Sequence, residues 1–186
     1  MRQAVLVVAV VMLVVLGGLG SRSTSARATD DLELDAIVSY TLHDGWDVEK
    51  SAERADPGVR ISRSLHVIRV RLFGGRDSRY ASAEAYLRGF EATTMGRPPE
   101  EVGIVTVSAV DTWLYRRGYP INLGDPHMSN PRYPSLATEK FCILRTGGRF
   151  LVLSHAYESP IPDPFPEGEE AWESFLRSFR LLKASQ

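Results

Sequence analysis

The most strand-like segment of this chain reads Lys140-Phe-Cys-Ile-Leu-Arg-Thr-Gly-Gly-Arg-Phe-Leu-Val-Leu-Ser-His155. Two apolar runs, rich in residues that favour strands, flank a Gly-Gly pair of the kind that forms a two-residue hairpin turn. With the glycines in the turn, the register pairs Thr146 with Arg149 and Cys142 with Leu153. We therefore predict a β-hairpin over this segment.

Both faces of the predicted hairpin are apolar, because side chains alternate between the two faces of a strand. One face carries Phe141, Ile143, Phe150 and Val152, and the other carries Cys142, Leu144, Leu151 and Leu153. A hairpin that is apolar on both faces needs cover on both of them. We therefore expect it at the centre of a sheet, between two other layers of structure.

The amino-terminal segment has the pattern of an export signal. Arg2 precedes an apolar run over residues 4–16, and Ala26-Arg-Ala28 has the small residues of a cleavage site. The pattern favours a signal peptide over residues 1–28, cleaved after Ala28. An uncleaved anchor is the alternative, although the apolar run is shorter than the roughly 20 residues that span a bilayer. Residues 29–186 then have the length of a single globular domain.

Charge and cysteine content exclude several classes of protein. Without Arg2, Arg22 and Arg27, 19 basic residues remain against 23 acidic ones, which is a net charge of about −4. A nucleic-acid-binding domain needs a basic surface, so we expect no nucleic-acid partner. The single cysteine, Cys142, rules out an intramolecular disulfide, so the domain depends on its core even in an oxidising compartment.

Hydrophobic periodicity predicts two helices and at least five strands. The helices cover residues 82–94, with Ser82 as N-cap and Phe90 on the apolar stripe, and residues 169–179. Strands are predicted over 32–40, from Trp46 onwards, over 65–73, over 102–115 with a bend at Asp111-Thr112, and as a short edge over 180–182. Loops are predicted over 49–58, 116–137 and 159–166. These elements indicate an α+β domain with a mainly antiparallel central sheet and a helix packed on each face, an α/β/α sandwich.

The order of these elements resembles the PsbP-like superfamily. The resemblance is carried by Tyr40-Thr-Leu-His-Asp-Gly-Trp46, by Ser82-Ala-Glu-Ala-Tyr86, by the strand over 102–110, by the hairpin over 141–155 and by the closing segment over 175–181. That superfamily includes photosystem extrinsic subunits, a Ran-binding nuclear factor and many exported bacterial proteins. The resemblance implies a single PsbP-like domain over 29–186. It implies no functional residue, because members share the scaffold and differ in what they bind.

The predicted loop over 116–137 is the best candidate binding site. It mixes aromatic and charged side chains as binding surfaces often do; the candidates are Arg116, Arg117, Tyr119, His127, Arg132 and Tyr133. The alternative is an ordered surface loop held by its prolines. Arg69 and Arg71, on one face of the strand over 65–73, form a second basic group that either meets an anionic partner or lipid head group or is solvated and salt-bridged.

No catalytic, metal or cofactor motif is present in the sequence. The histidines His43, His66, His127 and His155 have no metal-binding spacing. His155 lies near the end of a central strand, and we predict a hydrogen-bonded structural role for it. We predict a buried, unreactive Cys142, because its surroundings do not indicate the positive or helix-terminal setting that lowers a thiol pKa. The nucleophile elbow and the phosphate-binding glycine loop are both missing.

Together these features predict an exported, non-catalytic accessory or protein-binding domain with a protein partner at the cell envelope. The membrane would be contacted only through an uncleaved amino-terminal segment. One alternative is a carrier of a small ligand or lipid, with an aromatic pocket between the sheet and the Ser82 helix. Another is an enzyme assembled from distant residues, with His127 or His155 in its site.

Overall fold

The computed structural model describes residues 34–42, 44–51, 53–120, 136–159, 161, 163 and 167–182. These residues form three helices, α1 (Leu34–Ile37), α2 (Ala83–Arg88) and α3 (Glu167–Ser178). They also form nine strands: β1 (Val38–Ser39), β2 (Asp47–Lys50), β3 (Gly58–Arg63), β4 (His66–Phe73), β5 (Glu100–Val107), β6 (Val110–Pro120), β7 (Leu136–Thr146), β8 (Arg149–Tyr157) and β9 (Arg180–Leu181). None of the described helices has the length and apolar character needed to cross a membrane.

Seven strands form one antiparallel sheet in the order β2-β3-β4-β8-β7-β6-β5. The strands β1 and β9 form a separate antiparallel pair. The α+β class and the large antiparallel sheet are therefore confirmed. The predicted edge strand near residue 180 is confirmed as β9, which pairs with β1 rather than with the main sheet.

The predicted hairpin is confirmed as β7–β8, at the centre of the sheet. Its register matches the prediction along its length, from Thr146 opposite Arg149 to Cys142 opposite Leu153. The turn uses a φ of 56° at Gly147, a left-handed conformation that glycine adopts without steric cost. The turn chemistry and the apolar pattern therefore specify the same pairing.

Two buried clusters lie on opposite faces of this hairpin. The first joins Cys142, Leu144, Leu151 and Leu153 to side chains of α1 and α3 that include Leu34, Ile37, Trp172 and Phe175. The second joins Phe141, Phe150 and Val152 to Phe73 and to Ala83 and Tyr86 of α2. Burial of both hairpin faces is thus confirmed.

Four local predictions are wrong. Residues 34–37 form the short helix α1 instead of a strand, and the strand β3 was not predicted. The segment over 102–115 is a hairpin, β5–β6, that turns at Ser108-Ala109 rather than bending at Asp111. The α2 helix begins after the predicted N-cap, whose Oγ accepts a hydrogen bond from Ala85 N, but it ends at Arg88 rather than near residue 94.

Candidate functional site

The predicted loop does not begin at Arg116, because β6 continues to Pro120 and β7 begins at Leu136. Arg116, Arg117 and Tyr119 are strand residues, so the loop interpretation of these three is wrong. Alternation along β6 places Arg116 on one face of the sheet and Arg117 and Tyr119 on the other. The other three candidates, His127, Arg132 and Tyr133, lie outside the described residues.

Arg117 is held by a buried carboxylate. Its Nε donates to Glu139 Oε2 at 2.7 Å, and its Nη2 lies 2.5 Å from the same oxygen. The Glu139 side chain is only 4% exposed and that of Arg117 only 11%. A buried charge is tolerated when it is paired and hydrogen-bonded, so Arg117 serves the fold and is not free to bind a partner.

The same ion-pair network extends across the sheet. Arg69 Nη2 donates to Glu158 Oε1 at 2.5 Å, and the Tyr119 hydroxyl lies 3.4 Å from that oxygen. Burial raises the pKa of Tyr119 to about 12, despite the opposing effect of nearby Arg69. Tyr119 therefore remains a neutral hydrogen-bond donor at neutral pH.

A cavity of about 400 Å³ on this side of the molecule is lined by four arginines from β3, β4 and the segment before α2. Each arginine has a carboxylate partner: Arg60 with Glu158, Arg69 with Glu158, Arg71 with Glu91, and Arg79 with Asp56. Arg69 and Arg71 are therefore salt-bridged, which is one of the two roles that the sequence left open for them.

A second cavity, of about 280 Å³, lies where β4 and β8 meet the start of α3. We call it the histidine cleft; its lining includes Trp46, Leu65, His66, Tyr157, Asp163 and Gly168. His66 Nε2 lies 3.5 Å from Asp163 Oδ2, so a carboxylate faces the imidazole. The cleft brings together residues about a hundred positions apart in sequence.

Gly168 allows α3 to approach the imidazole of His66. A Cβ at position 168 would lie 2.1 Å from His66 Nδ1 and Cε1, which no real side chain could tolerate. Glycine is unfavourable inside a helix. Its presence in the first turn of a glutamate-rich helix therefore indicates that another part of the chain approaches the helix backbone closely there. This was the one sequence signal for the cleft, and the sequence interpretation did not use it.

Two nitrogens of neighbouring imidazoles are buried without a hydrogen-bond partner among the described residues. They are His66 Nδ1 and His155 Nε2. His155 is stacked between His66, at 5.8 Å between ring centroids, and Trp172, at 5.9 Å. No described residue thus forms the expected hydrogen bond with His155 Nε2. Burial lowers the pKa of His155 to about 4, so the ring is neutral at pH 7.

The described residues contain no group of three metal-ligating side chains. The enzyme alternative named His127, which lies outside the described residues, and His155, which is buried. A different histidine, His66, lines the histidine cleft. Cys142 is fully buried, and burial raises the pKa of its thiol to about 12, as expected for an unreactive cysteine. The enzyme alternative stays a prediction.

Aromatic rings fill the space where a ligand pocket was expected, between the sheet and α2. The Tyr86 ring lies 5.4 Å from Phe73, 5.9 Å from Phe141 and 6.2 Å from Phe150, centroid to centroid. Such distances are those of rings in contact. Neither of the two cavities described above lies at this interface.

The outer hairpin carries an exposed apolar surface, which we call the edge patch. Ile104 of β5 lies opposite Trp113 of β6, and the two are 66% and 45% exposed. Two half-buried side chains lie on the same face of the sheet. They are Tyr115, two positions further along β6, and Ile143 of the neighbouring strand β7. Contiguous exposed apolar surface of this kind is typical of interaction sites.

Two solved structures are similar to this chain. One, from Bacteroides thetaiotaomicron VPI-5482, has a TM-score of 0.49 and 12% identity; the match covers 81% of this chain and 47% of that one. The other is LpqN, involved in cell envelope biogenesis of Mycobacterium tuberculosis, with a TM-score of 0.36 and 12% identity over 77% of this chain and 82% of that one. This chain thus spans about half the length of the first. No protein-family model and no curated protein matches. The PsbP-like resemblance stays a prediction at the level of fold.

Proposed function

We propose that this chain is an exported, non-catalytic binding domain that acts at the cell envelope through a protein partner. The observation that carries the proposal is the edge patch, where Ile104 and Trp113 form an exposed cross-strand pair. Tryptophan is enriched at the energetic centres of protein interfaces. The exposed ion pair between Arg116 and Glu100 lies on the other face of the same two strands, so it would lie outside the contact.

The partner would pack on the face of the edge patch and not extend the sheet. A register shift between Glu101 and Gly103 marks a β-bulge in the edge strand β5. Bulges and charges on an edge strand discourage pairing with another strand. Glu100 and Glu101 add negative charge to that same end of the strand.

Site-specific photocrosslinking in the native envelope tests this proposal. A benzophenone side chain in place of Ile104 should give a specific crosslinked protein. The matched control replaces Val48, which is 48% exposed on the opposite edge strand β2. Trp113→Ser should lower the crosslink yield about tenfold or more, as expected for a central contact. Equal yields from both positions, or no effect of Trp113→Ser, would exclude the edge patch as the interface.

Small-ligand binding is the second candidate, now with the histidine cleft as its site. The supporting observation is the buried, unpaired Nδ1 of His66 beside a cavity of about 280 Å³. A buried polar atom without a partner has an unmet hydrogen bond that a ligand or water could supply. The approximate volume suits a small metabolite rather than a lipid chain.

Thermal unfolding of the protein against a panel of small metabolites tests the second candidate, because a ligand of the folded state raises the melting temperature. Gly168→Ala should abolish such a shift, since its Cβ would displace His66. Gly148→Ala is the matched control, because a Cβ there meets nothing within 4 Å. A panel without any shift, or an equal shift in Gly168→Ala, would remove the candidate.

We further infer that the two buried clusters correspond to the two helix-covered layers of a PsbP-like α/β/α sandwich. The support is that α3 contributes to one cluster and α2 to the other. An experimental structure of the exported protein tests the arrangement. Mass spectrometry of its amino terminus tests cleavage after Ala28, and an intact Met1 would indicate an anchor instead.

A further inference from the structure

The segment after α2, residues 88–97, presents apolar side chains to solvent. Phe90 is 84% exposed and Met95 is 74% exposed, the highest values among the large apolar side chains of the described residues. Phe90 was predicted to face the core on a longer helix. Exposure of two large apolar side chains within six residues opposes the usual preference for burial. The segment therefore needs a functional explanation.

This segment is held in place by the rest of the fold. The helix ends before Gly89, where a Cβ would lie 2.3 Å from the Tyr80 ring. Ala92 is fully buried, and Thr94 and Arg97 exchange two backbone hydrogen bonds of 2.9 and 2.8 Å. Met95 thus lies at the tip of a closed turn, with a left-handed φ of 50° that is unusual for a residue with a side chain. Its exposure is a built feature of the turn.

The acidic and basic side chains of the segment differ in whether they are paired. Its single acid, Glu91, lies 2.6 Å from both Arg71 Nη1 and Arg79 Nη1, so its charge is neutralised by arginines outside the segment. Arg88 and Arg97 are exposed, and neither forms an ion pair with any described residue. The outward charge of the segment is therefore positive.

We propose that the 88–97 segment docks on an anionic lipid surface. Phe90 and Met95 enter the boundary between headgroups and acyl chains, and Arg88 and Arg97 pair with lipid phosphates. Apolar side chains flanked by basic ones are typical of proteins that bind at the membrane interface. This contact goes beyond the proposed protein partner and uses different residues. The sequence interpretation limited membrane contact to an uncleaved amino-terminal segment, whereas this contact needs no such anchor.

Two apolar side chains and two arginines support weak, reversible binding. Stable attachment to a membrane generally needs a second signal. The expected behaviour is a contact that orients a domain already kept at the envelope by its partner. Removing both arginines should lower the affinity for anionic vesicles by about tenfold or more.

A fluorophore at position 95 tests the proposal in the full-length protein. Because Cys142 is fully buried, Met95→Cys provides a selective attachment site for a polarity-sensitive dye. With vesicles of equal parts phosphatidylglycerol and phosphatidylcholine, the dye should shift to shorter wavelength and be quenched by lipid-borne quenchers. Vesicles of phosphatidylcholine alone should give a much smaller shift. High salt and the Arg88→Gln/Arg97→Gln pair should each reduce the response.

The matched control carries the dye at Ile104→Cys, in the edge patch, where we expect no shift. This local readout distinguishes insertion at position 95 from any binding of vesicles by the amino-terminal segment. A water-exposed dye at position 95 on anionic vesicles would overturn the proposal, as would a shift that needs the protein partner or an equal shift at position 104. None of these results bears on crosslinking at Ile104, so the two proposals fail separately.

Discussion

Two neighbouring hairpins of the same sheet differ in how strongly the sequence specifies them. The central hairpin β7–β8 was predicted with its register, whereas the outer hairpin β5–β6 was predicted as one bent strand. The central turn contains Gly147, with a φ of 56°, and the outer turn has φ values of 52° and 61° at Ser108 and Ala109. Both turns thus need left-handed residues, which the central hairpin supplies with one glycine and the outer hairpin with two residues that carry side chains.

Burial explains the rest of the difference. In β8, seven successive residues are buried, whereas seven of the eight residues of β5 are not. A strand buried on both faces is apolar throughout and easy to recognise, but an exposed outer strand carries a weaker pattern. Hairpins at a sheet edge are therefore harder to predict, and they also present surface for binding.

The largest expected effect on stability comes from truncating one aromatic side chain in each hairpin. Phe141→Ala in β7 should lower the free energy of unfolding by about 3–5 kcal/mol, because Phe141 is fully buried. Trp113→Ala in β6 should lower it by about 1 kcal/mol or less, since 45% of that residue is already exposed. Urea unfolding of both variants measures the difference. Equal losses would mean that the outer hairpin contributes to the core as much as the central one.

The sequence predicted the parts of the fold in which local and global signals agree. The strand over 65–73, the stripe of α3 and the N-cap Ser82 all appear in the structure. The predicted α2 helix was too long because it was continued through Gly89, which is the C-cap and has an extended backbone with φ of −77° and ψ of 164°. The strand β3 was missed because residues 59–64 were given no element, although Val59 and Ile61 alternate there with Arg60 and Ser62.

The candidate site was harder to predict for two physical reasons. Gly118 and Pro120 suggested a loop, and a loop interpretation hides the alternation that separates Arg116 from Arg117. The histidine cleft unites β4, β8 and α3, and no local motif connects His66 to Asp163. Only the folded chain shows that one arginine is exposed and the next is committed to Glu139.

The ion pair between Arg117 and Glu139 joins the two hairpins across β6 and β7. Arg117→Met should lower the free energy of unfolding by about 2 kcal/mol, because the buried Glu139 carboxylate loses its hydrogen-bonded partner and keeps only Arg69 Nη1, 3.7 Å from Oε1. Arg117→Met combined with Glu139→Leu should recover most of that loss, since the buried carboxylate is removed and Arg69 keeps its partner Glu158. Chemical unfolding of the two single variants and the double variant gives the coupling. A double variant as unstable as Arg117→Met would show that the charges are needed for another reason.

A histidine-linked pH effect is expected from the central hairpin and not from the outer one, because residues 100–120 of the outer hairpin contain no histidine. Burial lowers the pKa of His155 in the folded chain to about 4, with Glu169, His66, Lys140 and Asp163 facing it. Between pH 6.5 and 4 the unfolded chain therefore binds more protons, and stability falls as the pH falls. The loss between pH 7 and pH 5 should be about 2 kcal/mol.

His155→Phe keeps a ring between His66 and Trp172 but cannot titrate. It should flatten the dependence of unfolding free energy on pH, whereas Trp113→Ala should leave that dependence unchanged. Denaturant unfolding at several pH values measures both. A slope that persists in His155→Phe would assign the pH dependence to other groups.

The smallest expected effect on stability comes from introducing glycine into the outer turn and removing it from the central turn. Ala109→Gly should raise the free energy of unfolding by about 0.5–1 kcal/mol, because it relieves a left-handed conformation at an exposed position. Ser108 is kept, since its Oγ accepts a hydrogen bond from Leu181 N at 2.8 Å. Gly147→Ala should cost about 1 kcal/mol through backbone strain alone, because a Cβ there meets nothing within 4 Å. Thermal unfolding of both variants checks the signs. If Ala109→Gly destabilises the protein, the outer turn is stabilised by contacts that glycine loses, and the two hairpins differ in more than their turn residues.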